Sequence, residues 1–238
     1  MNLSNTRALC FDIFGTVVDP RTNIVHEARE LGAAKGLNIN WDEFVNAWDA
    51  LYLPMIEQIS MVDQAPWISM DVLLRRNLIQ VLQAFNITQF TEAEITHLNQ
   101  SWHRLDPWPD CVPGITRLKQ KYILATLSNG SMAQMISIAK RAGLPWDVIL
   151  GAEPTRAYKP HPEAYLRTAT MLGLMPEQCM LVACHPSDLR AARAQGYQTA
   201  YIARSFESGS HKHHEIITEK DFDFVTDSME NLADLLGC

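Results

Sequence analysis

Asp12 follows directly on the apolar run Ala8-Leu9-Cys10-Phe11, with Gly15 and Thr16 close behind it. A buried strand of a parallel sheet reads as such a run, and ligands collect at the carboxyl ends of these strands. An aspartate held there can act as a covalent nucleophile; a lone aspartate can equally cap a helix or brace a turn. Three later stretches give Asp12 company. Ser128-Asn129 follow a second apolar run, His185 and Asp188 follow a third, and Lys159 stands just before a helical stretch. The chemistry that suits the set is attack by an ionised carboxylate. A cation such as Lys159 lowers a neighbouring carboxylate pKa. Thr16, Ser128 and Asn129 offer short donors for substrate oxygens or a leaving group. Asp188 can accept from Lys159 or help position a water.

The elements that must hold these groups follow from periodicity. Residues 7–14 read as the first strand, with Gly15 permitting the turn after Asp12. From Pro20 to Leu105 the pattern is helical. Thr22 or Asn23 is expected to cap a helix running to Gly36. A second helix starts near Asn40, with Trp41, Phe44, Val45, Trp48, Leu51 and Tyr52 at helical spacing and Pro54 breaking or kinking it. A third spans 69–85, and a fourth opens on the capping box Thr91–Glu94. This helical insert is a natural lid for excluding water. After Pro107 the rhythm is strand, loop, helix: strands at 122–127, 147–150, 179–184 and 199–203, with helices between them and a closing helix from Ser228 to Leu236. The expected fold is α/β, a doubly wound, Rossmann-like parallel sheet. The expected division is a core of residues 1–19 and 106–238 and a helical cap of 20–105.

Composition removes several classes. The 238 residues carry a net charge of -7, so no basic surplus exists to meet nucleic-acid phosphates. Apolar residues at 47% allow a sizeable core. His211-Lys212-His213-His214 is either a metal tract or a solvated loop. The five scattered cysteines, with no CxxC pair, suit reduced thiols in a cytoplasmic protein. No signal peptide is expected, and no apolar run approaches membrane-spanning length.

The stretches FDIFGTVVD (11–19), LSNGS (127–131), YKPHPEAY (158–165) and VACHPSDLRAARAQG (182–196) resemble, in order and spacing, the four motifs of the haloacid dehalogenase superfamily. The insert resembles that superfamily's type 1 cap, and the subfamily most resembled is the L-2-haloacid dehalogenases. The resemblance implies a hydrolase without cofactor or metal that converts a small (S)-2-haloacid to an (R)-2-hydroxyacid plus halide. Asp12 would attack the halogen-bearing carbon with inversion, and water would then hydrolyse the aspartyl ester. It implies catalytic roles for Asp12, Thr16, Ser128, Asn129, Lys159 and Asp188, substrate contacts from Phe14, Trp48, Tyr165 and His185, and a homodimer.

Two departures separate this chain from the superfamily's phosphatases. These carry an acid two residues after the nucleophile, where Phe14 stands, and an acidic metal ligand where Cys184 stands. A magnesium site needs hard oxygen ligands, whereas halide leaves without a proton. Three more separate it from the dehalogenases: Phe14 in place of Tyr, Ala183 and His185 in place of Ser and Asn, and Asp49 in place of a cap Arg that holds an anion. His185 can orient or activate the hydrolytic water, or be structural. Arg21, Arg75, Arg76, His103 and Arg104 are the candidates to replace the Arg. The competing readings are a phosphatase or phosphonate hydrolase on the same scaffold, and a non-catalytic binding protein that kept the fold.

Overall fold

The computed structural model describes residues 5–60, 67–204 and 217–238; the His211–His214 tract lies outside them. Ala8–Phe11 forms β1, and all four of its residues are buried. β1 lies inside a five-stranded parallel sheet with β2 (Ile123–Thr126), β3 (Cys179–Ala183), β4 (Gln198–Ile202) and β5 (Phe224–Thr226), in the order β2-β1-β3-β4-β5. Phe11 pairs with Thr126 on one side and Val182 on the other. The chain moves from β1 outward to β2, then crosses back to β3 on the opposite side. Asp12 therefore sits at the point where strand order reverses, the place a doubly wound sheet keeps for its ligand.

Alternate residues of the central strands face two different apolar layers. Leu9, Phe11, Met180 and Val182 join one core; Ala8, Cys10, Cys179, Leu181 and Ala183 join the other. Both faces are covered by helices: α6 (Cys111–Leu118), α7 (Met132–Ala142), the short α8 (Ala152–Thr155), α9 (Pro162–Met171), α10 (Pro186–Ala194) and α11 (Met229–Leu235). Gly143 ends α7 in the left-handed conformation, φ 69°, as its sequence position suggests.

Between β1 and β2 lie α1 (Pro20–Ala34), α2 (Trp41–Ala50), α3 (Tyr52–Ser60), α4 (Met70–Ala84), α5 (Glu92–Asn99) and a 3-10 turn, Gln100–His103. Their apolar faces meet in an aromatic cluster. Trp41 stacks on Phe90 and meets Phe44 edge-on, Phe44 meets Phe85, and Trp48 meets Trp102. Fully burying such a side chain contributes roughly 1.5–3 kcal/mol. This cluster is continuous with the first core layer under the sheet, so insert and sheet share one apolar interior.

Several local expectations need correction. Asp19, not Thr22 or Asn23, caps α1, accepting from the Thr22 N–H at 3.1 Å. Pro54 does not interrupt a helix. The break falls at Leu51, which leaves Pro54 in the first turn of α3, where a missing N–H costs nothing. That restart puts Tyr52 at a helix corner. Residues 147–150 form only an isolated bridge, Ala125 to Val148. The Thr126 hydroxyl takes both the Leu150 N–H and its carbonyl, and the Asp147 carboxylate takes the Leu124 N–H. Asn40, Ser69 and the Thr91–Glu94 capping box stand where expected.

Candidate active site

The loop after β1 is wound tightly enough to aim two side chains at one point. Gly15 takes φ 81°, a conformation L side chains rarely adopt. The Val17 N–H bonds back to the Ile13 carbonyl at 2.9 Å. Trp108 Nε1 donates to the Gly15 carbonyl (2.8 Å) and Arg204 Nε to the Thr16 carbonyl (3.0 Å), clamping the loop from outside. The Thr16 hydroxyl donates to Asp12 Oδ2 at 2.7 Å and accepts the Cys184 N–H at 2.9 Å.

The ends of β2 and β3, with the turn before α9, supply the rest. Lys159 Nζ donates to Asp12 Oδ1 at 2.8 Å and to Asp188 Oδ2 at 2.5 Å. His185 Nδ1 lies 3.0 Å from Asp12 Oδ2. The Tyr165 hydroxyl donates to Asp188 Oδ1 at 2.6 Å, and the Tyr197 hydroxyl holds the Tyr165 carbonyl. The Asn129 side chain grips the Lys159 backbone at both ends, Oδ1 from its N–H (2.6 Å) and Nδ2 on its carbonyl (3.1 Å). Ser128 Oγ accepts the Gly130 N–H. Asp12, Lys159 and Asp188 are 5%, 8% and 8% exposed, while the His185 side chain is 40% exposed.

The electrostatics follow from this packing. Burial pushes Asp12 up, but the charge of Lys159 and the His185 hydrogen bond outweigh it and hold the carboxyl well below the usual range. Burial pushes Lys159 down, and the two carboxylates more than reverse that, so the ammonium stays charged. Tyr165 is driven far up by burial and by Asp188, so it remains a neutral donor. The product is one buried, ionised carboxylate, fixed by donors on both oxygens, under a half-exposed imidazole. Such a group is a poor base and a competent nucleophile.

A family model described as haloacid dehalogenase-like hydrolase matches residues 6–196. The chain belongs to the haloacid dehalogenase-like hydrolases. The fold is close to that of a defluorinating L-2-haloacid dehalogenase, with 41% identity and TM-score 0.92 over 98% of this chain and 96% of the other. It is also similar to a second L-2-haloacid dehalogenase structure, with 38% identity and TM-score 0.91 over 98% and 99%. Among characterised sequences, (S)-2-haloacid dehalogenase 4A of Burkholderia cepacia is 26% identical over 85% of each chain.

Within this hydrolase, the structure gathers Asp12, Thr16, Asn129, Lys159, Tyr165, His185 and Asp188 into one network, with Ser128 beside it. Phe14 and Trp48 lie differently. Phe14 packs edge-on against Trp102 at 5.2 Å, and Trp102 in turn meets Trp48. Trp48 is 1% exposed and spends its indole N–H on the Leu74 carbonyl, so it packs the cap's interior and lies two rings away from the rim.

Of the five cations offered for the missing cap Arg, four are paired with acids. Arg21 pairs with Asp42, Arg75 with Glu92, His103 with Asp71 and Arg104 with Glu27, while Arg76 is exposed. Tyr52, read only as part of an apolar helix face, is half-buried, and burial pushes its phenol up to about 12 while Asn129 and the charge of Lys159 pull the other way. The Cys184 N–H on Thr16 was missed, because a backbone donor has no letter in the sequence.

A phosphatase reading would require a magnesium ion at this rim. Among the described residues, Asp12, Cys184 and His185 form a trio whose ligand atoms lie within 4.8 Å of one another. Carboxylate, thiol and imidazole are a mixed, soft set, and both oxygens of Asp188 are engaged by Lys159 and Tyr165. Magnesium takes hard oxygen ligands. The set does not fit it.

Proposed function

We propose that this hydrolase converts a small (S)-2-haloalkanoic acid to the (R)-2-hydroxyacid and halide, without a metal, through an aspartyl ester on Asp12. The observation that carries the reading is the Asp12 carboxylate, ionised and held on both oxygens, with Phe14 rather than an acid two residues after it. A displaced halide needs no proton; a phosphate ester's alcohol does. An Asp12 oxygen bonds to the α-carbon from behind while the carbon–halogen bond breaks, and the halogen leaves with the electron pair. Water then attacks the ester carbonyl carbon, the acyl–oxygen bond breaks, and the hydroxyacid oxygen takes up a proton as Asp12 is restored.

Lys159 keeps Asp12 ionised and Thr16 fixes its rotation. Asp188 and Tyr165 hold the Lys159 ammonium from its other side, and Ser128 and Asn129 face the substrate carboxylate. His185, half-exposed on Asp12 Oδ2, receives the proton of the attacking water. We further infer cytoplasmic residence and a homodimer, the first supported by five free thiols. The deciding experiment is halide release from L- and D-2-chloropropionate with EDTA present, beside a p-nitrophenyl phosphate assay with magnesium. Halide release from the L isomer alone is expected. Phosphate release without halide release would overturn the reading.

A further inference from the structure

Trp67 and Ile68, which lead into α4 in the helical insert, reach across to the segment that carries Lys159. The Trp67 ring stacks on Tyr158, with centroids 4.6 Å apart and 18° between the planes. The Tyr158 hydroxyl donates to the Ile68 carbonyl at 2.7 Å. The Arg156 guanidinium lies 5.9 Å from the centre of the Trp67 ring. Arg156 holds φ 51°, a left-handed backbone that costs a non-glycine residue and persists where its surroundings over-determine it. On the other flank, Asn129 grips both backbone groups of Lys159, and the His161 N–H closes on the Tyr158 carbonyl at 2.9 Å. Lys159 thus stands between two fastenings, one to the sheet and one to the insert.

We propose that Tyr158 and Trp67 are positioning residues for Lys159: their stack and the Tyr158–Ile68 hydrogen bond set the strap 156–159 so that one ammonium meets two carboxylates. The proposal rests on the dehalogenase reading for the reaction it serves, and not for its geometry. Lys159 Nζ has to lie 2.8 Å from Asp12 Oδ1 and 2.5 Å from Asp188 Oδ2 at once. A four-carbon side chain reaches both from a narrow range of backbone positions. Tyr158, 3% exposed, directly precedes Lys159, so its placement is passed on through a single peptide unit. Misplacing such a group by about 1 Å can cost a hundredfold in rate. Losing one hydrogen bond or one aromatic stack is milder, about 2- to 10-fold in kcat.

Positioning is separable from packing. Burial pushes Asp12 up and the charge of Lys159 opposes it, with His185 and the Thr16 hydroxyl on the other carboxylate oxygen. A displaced ammonium therefore moves the acid limb of the kcat profile to higher pH, whereas lost packing lowers stability alone.

The test is halide release from L-2-chloropropionate by the parent, Tyr158→Phe, Trp67→Ala and Trp67→Phe across the acid range. Thermal unfolding and hydrogen exchange of the peptide 156–162 are measured beside it. Tyr158→Phe deletes one hydrogen bond and keeps the ring; Trp67→Phe keeps part of the stack. The expected result is a lower kcat with KM unchanged, an acid limb at higher pH and faster exchange at 156–162, with Trp67→Phe partly rescuing the loss in Trp67→Ala. Variants that lose Tm alone, with kcat, acid limb and exchange as in the parent, would overturn the assignment. So would a rise in KM alone, which would make these rings substrate contacts. A parent that releases no halide would sink the dehalogenase reading. Exchange at 156–162 would then decide the positioning claim: faster exchange in Trp67→Ala and Tyr158→Phe upholds it, and unchanged exchange overturns it.

Discussion

The floor and the roof of this site are built on opposite principles. The floor, at the carboxyl ends of β1, β2 and β3 and the start of α9, is a set of charges locked to one another, Asp12 to Lys159 and Lys159 to Asp188, with the neutral Tyr165 hydroxyl holding Asp188. The roof is a cluster of rings, Trp41, Phe44, Trp48, Phe85, Phe90 and Trp102, that shares its apolar interior with the sheet. A floor of buried ions fails if any partner is removed, because the remaining charge is left unpaired in a poorly solvated place. A roof of apolar rings loses volume and contacts, and its losses are graded.

That contrast can be broken or sharpened in order of effect. Asp12→Asn should abolish turnover of any 2-haloacid in a homogeneous, folded variant, as read by halide release; residual steady turnover would show that Asp12 is not the nucleophile. Lys159→Ala should cost about a hundredfold or more in kcat and introduce an acid limb, since burial alone pushes Asp12 upward. A rate and pH profile equal to the parent's would remove Lys159 from the account. Trp48→Ala, on the roof, should lower stability by about 3–5 kcal/mol in denaturant titration through the cavity it leaves. A loss under ~1 kcal/mol would mean the cap collapses to fill it. Tyr165→Phe removes one hydrogen bond to a carboxylate and should cost roughly 1.5–3 kcal/mol of stability, with the fold retained.

The smallest effect is that of pH on the intact pair. Asp12 sits below its ordinary 3.8, so its contribution to stability is present above that value and is lost as pH falls through the lowered one. Lys159 sits above its ordinary 10.5, so its contribution is present below 10.5 and is lost as pH rises through the raised value. Between those limits the pair adds no slope to Tm or rate.

The same contrast explains what could be read in advance. Most floor residues fall directly after strand ends, where an apolar run stops and a polar letter must be doing something, and Lys159 falls just before a helix. So Asp12, Asn129, Lys159, His185 and Asp188 stood out, as did the parallel sheet. The roof follows a helical apolar period that many aromatic combinations satisfy. Nothing in that period separates Trp48, sealed in the cap's interior, from Tyr52, half-buried just after the helix break at Leu51. The 147–150 strand failed for a related reason. Thr126 and Asp147 side chains take the backbone groups a ladder would have used, and side-chain competition of that kind leaves no periodic trace.

The most direct test of the central claim follows oxygen. With enzyme in excess over L-2-chloropropionate in heavy-oxygen water, one turnover through an aspartyl ester puts the heavy atom into the Asp12 carboxylate, because water attacks the ester carbonyl. The first lactate formed carries the ordinary oxygen that Asp12 gave up. Mass spectrometry of the peptide containing Asp12 should therefore show the label, and the product should lack it. Label in the lactate with an unchanged Asp12 peptide would mean that water attacks the substrate directly, and the nucleophile assigned here would be wrong.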